Sequence, residues 1–229
     1  MGTMIELQAA DGTRVPAYEA RPRGEPKGAV VVIQEIFGVN SHIRQVADGY
    51  AAVGYLAVAP AAFHRVKPGV ELAYTEADMG EGFGYKTAAE ALPAPGVMQD
   101  IQAAIDHAAK ASGGKVGIVG YCWGGLLTWR AACTLSGLSA AVPYYGGGVT
   151  TEAETARQPS VPVLAHFAEE DKWIPLDTVA SFQKAHPSVQ VFTYAAHHGF
   201  NCDQRASWHA PSAQLARERT LAFFKQHLG

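Results

Sequence analysis

The hexapeptide Gly120-Tyr121-Cys122-Trp123-Gly124-Gly125 constrains this chain more than any other stretch. It follows an apolar run, Lys115-Val116-Gly117-Ile118-Val119, and precedes a helix-like run from Leu126 to Leu135. A strand, a glycine-flanked turn and a helix leave one side chain exposed at the turn. This is the pattern of a nucleophile elbow, G-x-S-x-G, with cysteine in the serine position. Glycine is required on either side because the strained turn leaves little room for a Cβ. Cys122 then lies at a helix N-terminus, whose partial positive charge favours a thiolate. The Trp123 backbone N–H points toward an oxygen that becomes negative during acyl transfer.

Around the elbow, strand-like runs alternate with helical ones, which predicts a mostly parallel α/β sheet covered on both faces. Met4 to Arg21 reads as a hairpin about Asp11-Gly12. Gly28 to Ile33, Tyr55 to Ala59, Ser139 to Tyr144, Val161 to Phe167 and Val189 to Tyr194 read as strands. Helices are expected from a Ser41 cap to Val53, and over Val97–Ala111, Leu176–Ala185 and Pro211–His227. Residues 61–96 carry scattered Gly and Pro without a steady period. They read as a long excursion near the mouth of a site, with some helix. No repeat or linker-like break interrupts the 229 residues, so one domain over 1–229 is expected.

Composition removes several functional classes. A net charge of −3 gives no basis for a nucleic-acid or membrane-surface partner. No apolar run approaches a membrane span, and Met1-Gly2-Thr3-Met4-Ile5-Glu6 has no signal pattern. The 3 cysteines are too few and too scattered for a disulfide framework or a zinc site. The expectation is a reducing, cytoplasmic setting with free thiols and with no metal or cofactor. Cys133, within the helix after the elbow, is expected to be buried.

An activated thiol needs a base, and the base needs an orienting group. In open α/β sheets both sit beyond the carboxyl ends of strands. Two later strand-like runs lead into suitable loops, Ala168-Glu169-Glu170-Asp171-Lys172-Trp173 and Ala195-Ala196-His197-His198-Gly199-Phe200. The order Cys122, Asp171, His198 is the nucleophile, acid, histidine order of α/β-hydrolase triads. Chemistry alone leaves His197 open beside His198, and Glu169, Glu170 and Asp177 open beside Asp171. Glu35, just past the apolar run ending at Ile33, is either an exposed loop carboxylate or part of the site. Ile36 is the candidate for a second oxyanion N–H beside Trp123.

Three motifs carry a resemblance over nearly the whole chain: Gln34-Glu35-Ile36-Phe37-Gly38-Val39-Asn40, Gly120-Tyr121-Cys122-Trp123-Gly124-Gly125 and His198-Gly199-Phe200. The chain resembles the dienelactone hydrolase family of α/β-hydrolases. The resemblance implies Cys122 as nucleophile, His198 as its histidine and Asp171 as orienter. It implies Glu35 as the carboxylate that takes up the thiol proton once substrate displaces it. A thiol kept neutral until substrate arrives is protected from oxidation. The implied reaction is lactone or ester hydrolysis through an acyl-thioester, without metal or organic cofactor. The implied partner is a small lactone or ester, with no nucleic acid and no membrane, for a monomer or small homo-oligomer.

The chain also departs from the family pattern of two substrate-binding arginines. Residues 61–96 offer only Arg65, Lys67 and Lys86, and the position four past His198 is Cys202. Arg205, three residues further, is the remaining candidate, with Tyr85, Phe83, Trp123 and Tyr145 as possible pocket aromatics. Loss of bidentate guanidinium clamps weakens recognition of a carboxylate. The near alternative is therefore a general carboxylesterase or thioesterase. The alternative of another class is a non-catalytic ligand-binding or redox-sensing protein on the same fold. His64, His166 and His209 have no ligand spacing and read as structural or surface residues.

Overall fold

Short runs of β-branched and small apolar residues form strands whose two faces are both buried, as a sheet between two helical layers requires. A computed structural model describes residues 2–229. The hairpin strands are β1 (Thr3–Gln8) and β2 (Arg14–Ala20), paired antiparallel. Next come β3 (Ala29–Ile33) and β4 (Leu56–Pro60), buried at every position. Then follow β5 (Val116–Tyr121), β6 (Leu138–Tyr144), β7 (Leu164–Ala168) and β8 (Gln190–Tyr194). They form one sheet in the order β1-β2-β4-β3-β5-β6-β7-β8. From β4 to β8 all neighbours are parallel, and β2 joins β4 antiparallel.

The helices are α1 (Ser41–Ala52), α2 (Glu76–Glu90), α3 (Met98–Ser112), α4 (Trp123–Thr134), α5 (Glu152–Thr155), α6 (Leu176–Ala185) and α7 (Ala210–Leu228). On one face α1 meets α7, with the Tyr50 and Phe224 rings 6.0 Å apart. On the other, α4 meets α6 through Trp129 and Phe182, 5.0 Å apart. Among the described residues no helix is long and apolar enough to cross a membrane.

Several boundaries differ from the sequence expectation for physical reasons. Asn40, not Ser41, caps α1, because its side chain accepts from the Ile43 N–H. α4 starts at Trp123 rather than near Leu126, since Gly124 and Gly125 are helical residues packed against strand ends rather than breakers. Pro162 lies outside β7, which begins at Leu164. Cys133 is only partly buried.

The largest difference is α2, within residues 61–96. Gly80, Gly82 and Gly84 obscure its period, each costing about 1 kcal/mol against alanine in a helix interior. A capping box offsets part of this: Asp78 N–H donates to Thr75 Oγ1 and Thr75 N–H to Asp78 Oδ2. A Cβ on Gly82 would stand 2.3 Å from the Ile36 carbonyl oxygen, so the bare backbone lets α2 dock on the loop after β3.

Candidate active site

Cys122 immediately follows β5 with φ 56° and ψ −118°. A side-chain-bearing residue held there stores about 1–3 kcal/mol of backbone strain. The surroundings enforce it. Cys122 N–H donates to the Tyr144 carbonyl at 3.1 Å, and its own carbonyl accepts from Gly125 N–H at 2.9 Å. A Cβ on Gly120 would stand 2.1 Å from the Gly124 carbonyl oxygen, and one on Gly124 2.4 Å from that of Gln34. The two glycines therefore permit the turn that presents the thiol at the start of α4.

The loops after β7 and β8 bring the other two groups together. Asp171 Oδ2 lies 2.7 Å from His198 Nδ1, and Asp171 Oδ1 accepts from the Trp173 N–H at 2.8 Å. A carboxylate only accepts, so Nδ1 carries the proton and Nε2 faces the thiol. His198 and Cys122 line the same cavity, and their side chains interact. Burial opposes a charge on this ring, but the Cys122 sulfur and the Asp171 carboxylate outweigh it and push the His198 pKa up to about 10. His197 is exposed and turned toward Glu170, at 3.4 Å. Glu169 accepts from Thr193. By contrast His166, held between Tyr194 and Thr220, is pulled well below the usual histidine value by burial.

Glu35 is buried, 1% exposed, rather than an open loop residue. Its loop is pinned by Gln34, whose Oε1 accepts from the Ala62 N–H. Arg205 Nη1 donates to Glu35 Oε1 at 3.1 Å, while Glu35 Oε2 has no hydrogen-bond partner. Burial opposes the charge on Arg205, but the Glu35 carboxylate beside it outweighs this and raises the guanidinium pKa. Cys202 is also buried, and desolvation followed by the Glu35 charge pushes its thiol up to about 12.

A cavity of about 360 Å³ opens over Cys122 and His198. Ile36, Trp123 and Arg205 line it. Tyr85 and Tyr145 are absent from its wall, contrary to expectation. Met79, Phe83 and Lys86 stand one turn apart along α2 and face the cavity, whereas Tyr85 turns to Phe63, 5.7 Å away, and to Glu81. Tyr145 lies fully buried behind the site, edge-on to His198 at 5.1 Å. Arg65 is likewise committed elsewhere, to Asp11 and Asp100. Sequence reasoning missed Phe37, Met79 and Trp173 as wall residues. Trp173 had a usable signal, since it stands two residues past Asp171. It is 62% exposed and meets Phe83, 5.8 Å away, at the cavity mouth.

The profile of the Dienelactone hydrolase family matches residues 15–228. An Escherichia coli (strain K12) protein, named provisionally as a carboxymethylenebutenolidase, is 34% identical over 96% of this chain and 85% of its own length. A Synechocystis sp. protein with the same provisional name is 35% identical over 87% of this chain and 86% of its own. The crystal structure of a provisionally named dienelactone hydrolase from Klebsiella pneumoniae, 32% identical, superposes with a TM-score of 0.84 over 99% of each chain. With nearly its whole length matched, the chain belongs to the dienelactone hydrolase family.

Proposed function

We propose that this chain is a carboxylic ester hydrolase that opens lactones or esters through an acyl-thioester on Cys122. The carrying observation is the strained Cys122 beside His198, whose Nδ1 meets Asp171 at 2.7 Å. The relatives' names, carboxymethylenebutenolidase and dienelactone hydrolase, support a small lactone substrate.

The Cys122 thiolate attacks the substrate carbonyl carbon, and the carbonyl electrons move to oxygen. The Ile36 and Trp123 N–H groups receive that oxyanion; Trp123 is the first residue of α4, so its N–H has no partner within the helix. Collapse expels the leaving oxygen, which takes a proton from His198. Water then attacks the thioester, its proton passes to His198, and the thiolate leaves as the acid forms. Asp171 holds the imidazole in the required tautomer throughout.

Glu35 regulates the thiol. At rest, Glu35 Oε1 is held by the Arg205 guanidinium. A substrate that engages Arg205 from the cavity removes this partner, and Glu35 becomes able to accept the Cys122 proton. A second reading, an esterase for uncharged substrates, is favoured by the apolar wall and the exposed Phe83–Trp173 pair.

Hydrolysis of a cis-dienelactone beside an uncharged aryl ester, for wild type and Cys122→Ala, tests these readings. Cys122-dependent turnover of the dienelactone supports the first, with Arg205 binding its carboxylate. Cys122-dependent turnover of the aryl ester alone supports the second. Unchanged turnover in Cys122→Ala overturns the cysteine mechanism.

A further inference from the structure

The loop after β3, the first turn of α1 and the loop after His198 converge at a point none of them announces alone. Glu35, His42 and Cys202 each bring one potential ligand atom to it, all within 4.8 Å of one another, and all three residues are buried. His42 Nε2 and Glu35 Oε2 have no hydrogen-bond partner. A buried polar atom without a partner is costly, so two such atoms aimed at one point call for a shared ligand.

We infer that Glu35, His42 and Cys202 form a binding site for one borderline divalent cation of the Zn²⁺ or Co²⁺ type. A thiol, an imidazole and a carboxylate are the donor set these ions take, whereas Mg²⁺ and Ca²⁺ select oxygen ligands. The outer groups suit the assignment. His42 Nδ1 lies 3.1 Å from Asp203 Oδ1, a carboxylate on the far ring nitrogen that fixes the tautomer and aims Nε2 inward. Tyr74 supports the Cys202 sulfur, and Asn40 Nδ2 donates to the Tyr74 hydroxyl at 3.0 Å. Binding releases the Cys202 proton to solvent, so one carboxylate and one thiolate balance the two positive charges. Arg205 keeps its bond to the other Glu35 oxygen. Three protein ligands leave a fourth position for water. Entry is by a cavity of about 410 Å³ beside α1 and α7, lined by His42 and Asp203 and separate from the one over Cys122. On the role proposed above for Glu35, an ion here withdraws that carboxylate and holds the site idle.

The test uses Co²⁺ on the full chain carrying Cys122→Ala, so that the elbow thiol contributes nothing. Titration is expected to give a sulfur-to-cobalt charge-transfer band and tetrahedral visible bands, saturating at one equivalent and reversed by Zn²⁺. Adding Cys202→Ala is expected to abolish both. His42→Gln, which leaves the thiol in place, is expected to abolish the tetrahedral spectrum, and Asp203→Asn to weaken binding about 10–100-fold. Zn²⁺ is expected to raise the thermal midpoint only where the three ligands are intact. No cobalt band, or a band that survives Cys202→Ala in folded protein, overturns the site. Because these readouts are independent of hydrolysis, an inactive wild type freed of metal by chelation would count against the proposed function and leave the metal site standing.

Discussion

The cavity has two walls of different kinds. One is built from strand ends: Cys122, Ile36 and His198 stand where β5, β3 and β8 give way to their loops, and backbone geometry dictates their positions. The other is peripheral. Met79, Phe83 and Lys86 stand on α2, a helix in which only Gly82 and Ala89 are buried, and Trp173 projects from the loop after β7. The first wall is held by the whole sheet and carries reacting groups. The second is held locally, so its side chains can change without disturbing the chemistry. The difference teaches that, on the proposed chemistry, reaction type and substrate choice are encoded on separate elements.

The contrast predicts a graded series of effects. Cys122→Ala should abolish turnover, a loss of about 10³-fold or more in kcat, while the unfolding midpoint stays within a few degrees. Retained turnover would break the division between the walls. Asp171→Asn should lower kcat by roughly 10²–10⁴-fold by allowing the wrong His198 tautomer, with KM little changed. Glu35→Gln should slow acylation by about 10–100-fold, as for loss of a general base. Full activity in single-turnover measurements would reduce Glu35 to a partner of Arg205. On the peripheral wall, Phe83→Ala or Trp173→Ala should raise KM for an aryl ester by roughly 3–10-fold at nearly constant kcat, since each removes about 1 kcal/mol of aromatic contact. A fall in kcat alone would show that the wall takes part in chemistry.

The fifth expectation concerns pH. The His198 pKa is raised to about 10 in the folded protein, against about 6.5 in an unfolded chain. The stability conferred by this shift is complete below about pH 6.5 and is lost as pH rises through about 10. Ring chemical shifts should therefore report an imidazolium at neutral pH, and Cys122→Ala should move the titration downward. A His198 titration near 6.5 in wild type would mean that Cys122 rests as the neutral thiol, its proton left for Glu35 to take; an imidazolium at neutral pH would mean that the proton already sits on His198.

The legibility of each wall follows the same line. The elbow was readable because a strained turn at Cys122 demands glycine at 120 and 124, and both lie two residues from it in sequence. The order of Cys122, Asp171 and His198 was readable because parallel strands end on one edge of the sheet. Choosing His198 over His197, and Asp171 over Glu169, rested on family resemblance, because neighbouring loop residues differ only in where the folded loop points them. α2 was hidden by three glycines, and for Gly82 the reason, close contact with Ile36, exists only in the fold. Tyr85 was misjudged because two positions along a helix turn a side chain far from the face shared by Met79 and Phe83.

What the sequence by itself determined is whatever local physics encodes: β-branched runs that must be buried strands, a glycine-framed cysteine at a strand-to-helix turn, and an acid and a histidine on later loops. Only the tertiary structure decided the pairing of Arg205 with Glu35, and the meeting of Glu35 and His42 with Cys202 more than 150 positions away. No periodicity or spacing encodes such contacts, because they arise where separate loops close over one edge of the sheet. Burial there, not proximity along the chain, sets what each group can do.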